Sequence, residues 1–323
     1  MTRSVDQWQA LVEEQLHALQ LPEMPDNLYS PVRYMLALGG KRMRPVALLM
    51  SAEMFGATPE VAMPAALGIE VFHNFTLLHD DIMDKAPLRR GKSTVHEKWN
   101  SDIAILSGDT MFVKSCQLMM NVPASVMPPV MDLFFRTAIE VCEGQQFDMD
   151  FQSLSMVTID DYLEMIRLKT AVLLGAGMGI GALIGGAAEK DVRHLYDFGV
   201  NLGIAFQLQD DILDVYGDAG KFGKMVGGDI LANKKTYLLL TALSKAKGEE
   251  LTSLLKWLSA EASEEKLYGV MALYDRLNVK QDAVSRMNEL YGVAMNHLDA
   301  IPLSPSAKKP LSDLAYMLMH REH

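Results

Sequence analysis

Two short stretches of the 323-residue chain repeat one arrangement of carboxylates. Asp80, Asp81 and Asp84 form D-D-x-x-D within LLHDDIMD, and Asp210, Asp211 and Asp214 form it again within QLQDDILD. On a helix the three positions of each copy lie at roughly 0°, 100° and 40°, so the carboxylates share one arc and repel one another. A hard divalent cation relieves that repulsion, and Mg2+ completes its shell with water and phosphate oxygens. A solvated acidic face is the plainer alternative. Both copies, however, sit in apolar sequence (FTLLHDDIM and AFQLQDDIL), where unpaired aspartate is rare.

Cations accompany the carboxylates. GGKRMRP at 39–45 supplies Lys41, Arg42 and Arg44, and Arg89 and Arg90 follow the first aspartate motif. Lys169 and Thr170 interrupt an apolar run, and Lys224, Lys234 and Lys235 follow the second motif. Each alone reads as a surface charge; Lys169, flanked by Leu168 and Ala171, points instead to a buried lysine in need of an anion. Arginine grips phosphate through a fork of donors and lysine as a point charge. Two carboxylate triads and these cations together describe a polyanion held between metal ions and basic side chains, as in diphosphate chemistry. A glycosidase-like carboxylate pair explains neither the cations nor the duplication. No Ser-His-Asp or Cys-His arrangement offers a nucleophile.

Other candidates need weighing. His73 precedes Asp80 by two helical turns and shares its face, which favours a ligand over a core histidine. His79, beside Asp80, is read as a packing or supporting group. GMGIGA at 177–182 fits a loose dinucleotide-binding pattern, but no strand precedes it, so that reading is rejected. The 23 methionines are read as core filler.

The elements that must carry these residues are helices. All thirteen prolines fall before residue 130 or after residue 301, and proline is the strongest helix breaker. Apolar residues recur at three- and four-residue spacing between those limits, as Tyr162, Met165, Ile166 and Leu168 do. Strand signals are scarce. The expectation is an all-α protein of ten or more helices, one domain over 1–323, with a loop at 22–31 and interhelix turns at 123–129 and 247–250. The uncharged stretch 171–188 approaches the length of a membrane span. Its six glycines, and the lack of any second such segment, favour a buried helix that neighbours approach closely. No transmembrane span is expected.

Composition narrows the setting. The chain is 49% hydrophobic and 22% charged, which is globular and not disordered. Its net charge of −11 argues against nucleic-acid binding by bulk attraction. Cys116 and Cys142 alone make neither a disulfide scaffold nor a Cys-rich zinc site. The polar N-terminal segment lacks the apolar core of a signal peptide, so a cytoplasmic location is expected.

The order GGKRMRP, HDDIMD with RRG, GQQFD, KT, FQLQDDILD, GK and GGDILANKKT resembles the trans-isoprenyl diphosphate synthases, the polyprenyl synthetase family, over most of the chain. The resemblance implies the isoprenoid synthase fold, a helical bundle around a central cavity, and a homodimer. It implies three Mg2+ ions per site, held by Asp80, Asp81 and Asp84 with Asp210 and Asp214, Asp211 ligating less directly. Arg89, Lys169, Lys224 and Lys234 would contact the allylic diphosphate. Lys41, Arg42, His73 and Arg90 would bind isopentenyl diphosphate, with Arg44 assisting. Thr170 and Gln207 would sit beside the reacting carbons, Asp148 would support the metal shell through water, and Phe206 would line the cavity.

In that family the residues four, five and eight places before the first aspartate form the floor of the product pocket. Here they are Thr76, Phe75 and Phe72, a pattern resembling geranylgeranyl (C20) synthases, with a farnesyl (C15) synthase as the alternative. On an ideal wheel Thr76 and Ile69 lie nearer the aspartates than Phe75 does. A class I terpene cyclase would carry a different second metal motif and lack the isopentenyl site. A non-catalytic regulatory subunit would show eroded motifs, and none is eroded here.

Overall fold

The fold was obtained as a computed structural model, which describes residues 3–217 and 227–320. Helices dominate. In chain order they are α1 (Val5–His17), α2 (Asp26–Leu36), α3 (Met43–Met54), α4 (Pro59–Met83), α5 (Val95–Lys98), α6 (Ser101–Met119), α7 (Met127–Ser153) and α8 (Ile159–Ile166). A π turn (Arg167–Ala171) leads into α9 (Val172–Ile184) and then α10 (Glu189–Tyr216). There follow α11 (Gly228–Leu231), α12 (Tyr237–Lys245), α13 (Glu249–Leu258), α14 (Glu264–Arg276), α15 (Val279–Asp299) and α16 (Pro305–Met319).

The chain divides into two compact units. One comprises 1–137, 176–196 and 302–311; the other comprises 138–175, 197–301 and 312–323. Each is discontinuous in sequence, with crossings inside long helices such as α7 and α10, so no linker composition marks a boundary.

In the first unit α4 packs against α3 and α6, burying Ala62, Ala66, Ile69 and Phe72. Gly181 of α9 lies against Leu48, and Gly185, just past its end, against Ala52 and Phe55, where a Cβ would overlap the facing segment. The glycine-rich stretch thus forms a buried helix whose neighbours approach closely. A second helix also has the length and apolarity of a membrane span, contrary to expectation. The two windows lie in Pro59–Met83 and Ile159–Ile184, and 67% and 78% of their residues are buried within the protein, which accounts for their apolarity.

Three local expectations are corrected. Residues 22–31 are not all loop: α2 begins at Asp26 and contains Pro31, leaving one ladder bond unmade. The turn expected at 123–129 ends at Val126, because Pro128 and Pro129 occupy the first turn of α7, where N–H groups lack helical partners anyway. Among the described residues one hairpin interrupts the helices, β1 (Leu88–Arg89) pairing antiparallel with β2 (Lys92–Ser93). Arg90 and Gly91 have φ of 52° and 74°, the left-handed pair that a two-residue turn between twisted strands requires.

Candidate active site

In the first unit the basic motifs meet the first aspartate motif. Asp80 and Asp81 lie in the last turn of α4, and Asp84 caps it. The hairpin folds back so that Arg89 donates from Nε to both Asp81 oxygens at 2.9 and 2.8 Å. Its Nη2 lies 2.7 Å from Asp81 and 3.5 Å from Asp80. Burial of Asp81 raises its pKa, against the pull of Arg89. Arg90, on the hairpin turn, brings its guanidinium close to Gly40, where a Cβ would displace it; with φ of 147°, position 40 is strained for any side chain.

The 39–42 loop and the first turn of α3 are held from several sides. Gln9 donates to the Lys41 carbonyl at 2.6 Å, while Lys41 itself is exposed. Arg42 caps α3 in a left-handed conformation, φ 47°, and is almost wholly buried. It donates to Glu13 at 2.8 Å, to Glu70 at 2.6 Å and to the Leu36 carbonyl at 2.7 Å. Burial opposes its charge, but Glu13 and Glu70 outweigh it and raise its pKa. Most of its donors are therefore committed within the protein. Arg44 donates from Nη1 to His73 Nε2 at 3.1 Å, so His73 carries its proton on Nδ1. Burial first, then Arg44, Arg90, Arg89 and Arg42, holds His73 well below the ordinary imidazole pKa, hence neutral. The Arg44 Nε is buried without a partner, a donor suited to an anion.

Further up α4, Phe72 and Phe75 join Phe112 and Phe134 in an aromatic cluster with centroids 5.3–6.0 Å apart. Phe72 is 1% exposed; Phe75 and Thr76 are half-buried, and Thr76 donates to the His73 carbonyl. His79 packs in the notch left by Gly108, its Nε2 3.2 Å from the Ile105 carbonyl, as a packing group.

In the second unit Lys169 and Thr170 occupy the π turn, a helical irregularity frequent at functional sites. Lys169 Nζ pairs with Asp148 at 2.6 Å, so the lysine has its anion. Asp211 is turned inward, to Tyr162 at 2.5 Å, with Gln207 at 3.5 Å. Burial pushes its pKa up to about 7, against the bond from Tyr162. Asp214 Oδ2 accepts from the Asp229 N–H at 3.0 Å; Asp210 and Phe206 are half-buried along α10. Lys234 is exposed and close enough to lower the Asp211 pKa. Lys235 donates to the Phe151 and Leu154 carbonyls at 2.5 and 2.6 Å, satisfying the end of α7. Lys224 lies outside the described residues.

The acidic donors are carboxylate oxygens, the type that Mg2+ and Ca2+ prefer. Among the described residues no three His, Cys, Asp or Glu side chains already converge on a metal position, as Arg89 and Tyr162 hold Asp81 and Asp211. Sequence reasoning missed Glu13, Glu70 and Tyr162, whose partners lie far away in the chain. It also missed the close packing of Gly144 on Lys169; the glycine opening GQQFD was its only available signal.

The sequence pattern of the family described as Polyprenyl synthetase matches residues 25–274. The chain is 39% identical over 316 residues to the geranylgeranyl pyrophosphate synthase of Geoglobus acetivorans, covering 97% of each chain. A crystal structure of a geranylgeranyl pyrophosphate synthase superposes with a TM-score of 0.95 at 42% identity, covering 100% of both chains. A polyprenyl synthase from Caulobacter crescentus, solved with calcium and isoprenyl diphosphate, gives 0.85 at 26% identity, covering 100% of this chain and 99% of that one.

Proposed function

The chain belongs to the polyprenyl synthetase family, and from that premise we propose how this trans-prenyltransferase works and what it makes. It adds isopentenyl diphosphate to an allylic diphosphate of five, ten or fifteen carbons and stops at geranylgeranyl diphosphate (C20). The observation that carries the reading is the junction of opposite charges in the first unit. There Arg89 bridges Asp80 and Asp81, while Arg44, Arg90 and His73 gather behind them with a buried N–H left over. Such a place suits an anion that brings its own cations.

The hard carboxylate donors fit Mg2+. Asp80, Asp81 and Asp84, with Asp210 and Asp214, would hold three ions. When bound, Mg2+ neutralises diphosphate charge and so makes diphosphate a better leaving group. Arg89, Lys169, Lys224 and Lys234 hold the allylic diphosphate. Lys41, His73 and Arg90 take isopentenyl diphosphate, and Arg42 offers it the donor capacity its ion pairs leave. Neutral His73 donates from Nδ1. The allylic C–O bond breaks with its electron pair on the departing diphosphate. The isopentenyl double bond attacks the allylic carbon, and a proton passes to the released diphosphate. Thr170 and Gln207 orient the reacting carbons, and Asp148 holds Lys169 in place.

Phe75, with Phe72 behind it, ends the product pocket. A homodimer forms on α6, where Leu106 and Val113, with Met120 just past its end, expose 59%, 57% and 56% of their surface at seven-residue spacing, a stripe suited to a partner helix. Two free cysteines suit the cytoplasm.

The test is product analysis by mass, using isopentenyl diphosphate with each primer, in Mg2+ and with a chelator. Metal-dependent C20 from all three primers is expected. A C15 stop would move the floor to Phe72, and no product would remove the catalytic reading.

A further inference from the structure

The middle aspartate of the second motif is an anchor. Asp211 is 4% exposed, and Tyr162, 2% exposed, donates its hydroxyl to Asp211 Oδ2 at 2.5 Å. The Tyr237 N–H at the start of α12 donates to the same oxygen at 3.4 Å, and Gln207 donates to Oδ1 at 3.5 Å. These bonds tie three segments remote in sequence. The first is α8, which runs directly into Lys169 and Thr170; the second is α10, which carries Asp210 and Asp214; the third is the start of α12, just after Lys234 and Lys235. A hydrogen bond to a carboxylate is short and directional, and in a buried setting it is a strong constraint. The helix N-terminus adds a favourable dipole.

We propose that Tyr162 is a positioning residue for this reaction. Its bond to Asp211 fixes the helix bearing Lys169 against the helix bearing Asp210 and Asp214, and Asp211 serves as the anchor of that bond, not as a cation ligand. The inference rests on the assignment of Asp210 and Asp214 to the cation-binding set made above.

The test uses the full chain and two readouts: the Mg2+ concentration that half-saturates turnover, and the thermal shift produced by Mg2+ with inorganic diphosphate in the absence of prenyl substrate. Tyr162→Phe keeps the ring and loses the bond; half-saturation is expected to rise about 10-fold and the thermal shift to shrink. Asp211→Asn keeps an acceptor for Tyr162, and half-saturation is expected to stay within about twofold of the unaltered protein, while Asp210→Asn raises it by about 10-fold or more. Unchanged Mg2+ dependence and thermal shift in Tyr162→Phe overturn the inference. So does an Asp211→Asn as impaired as Asp210→Asn, which decides the matter even if Tyr162→Phe does not fold. An unaltered protein showing neither turnover nor thermal shift defeats the assignment of the cation set, and this inference with it.

Discussion

Gly144 of α7 lies directly against the backbone of Lys169: a Cβ at position 144 would overlap the Lys169 nitrogen and Cα. On α10, Gly203 stands in the same relation to Ala171, at the other end of the π turn. Two helices thus close on one irregular turn where it presents Lys169 and Thr170. Gly144→Ala must push α7 off that turn, and is expected to cost about 1–3 kcal/mol of stability, read by chemical denaturation. Turnover should fall further than the folded fraction does, because the Lys169–Asp148 pair shifts with the turn. Equal losses in both would mean that the contact matters to folding alone.

Phe72 and Phe75 are neighbours on α4 but should fail differently. Phe72 is enclosed by Phe75, Phe112 and Phe134, so Phe72→Ala should cost about 3–5 kcal/mol. Phe75 is half-buried, and Phe75→Ala should cost less and yield products longer than C20 by mass analysis. An unchanged product would reject Phe75 as the floor.

The helices and the motif order were legible because both are local properties. Proline placement marked the helical interior, and D-D-x-x-D is complete within five residues. What was not legible joins distant positions. Glu13 and Glu70 look like ordinary surface carboxylates until α1 and α4 bring them to Arg42. Tyr162 looked like one more apolar contact in a helical repeat until its hydroxyl met Asp211. The π turn adds one residue to a helix without any break in composition, so periodicity passes over it.

Acid should probe the Glu13–Arg42 pair. The bond from Arg42 holds Glu13 below its ordinary value of 4.5, so the folded state favours the carboxylate. That stabilisation is complete above the ordinary value and is lost as pH falls through the lower, folded one. Glu13→Gln should lose about 1.5 kcal/mol at neutral pH and decline less steeply in denaturation curves below about pH 5. Parallel curves for the two proteins would show that the pair adds nothing.

The exposed stripe on α6 predicts an assembly. Leu106→Glu with Val113→Glu puts charge where a partner helix would bury apolar surface, and both positions are too exposed for the change to harm the fold of one chain. Sedimentation should show a dimer for the unaltered protein and a shift toward monomer for the variant. A variant that sediments with the unaltered protein would place the interface elsewhere.

The family pattern begins at residue 25, yet α1 ends before it, at His17. A chain trimmed to the matched region would lose Glu13 and Gln9, leaving Arg42 with one carboxylate where it had two and the loop of Lys41 without its brace. It would also lose Trp8, whose surface is wholly covered by its surroundings. For anyone engineering this protein, the boundary of the folded structure and the homology boundary are different places. A tag or fusion that disturbs the first helix acts on the loop that carries Lys41, some thirty residues downstream, although the family pattern begins only after that helix.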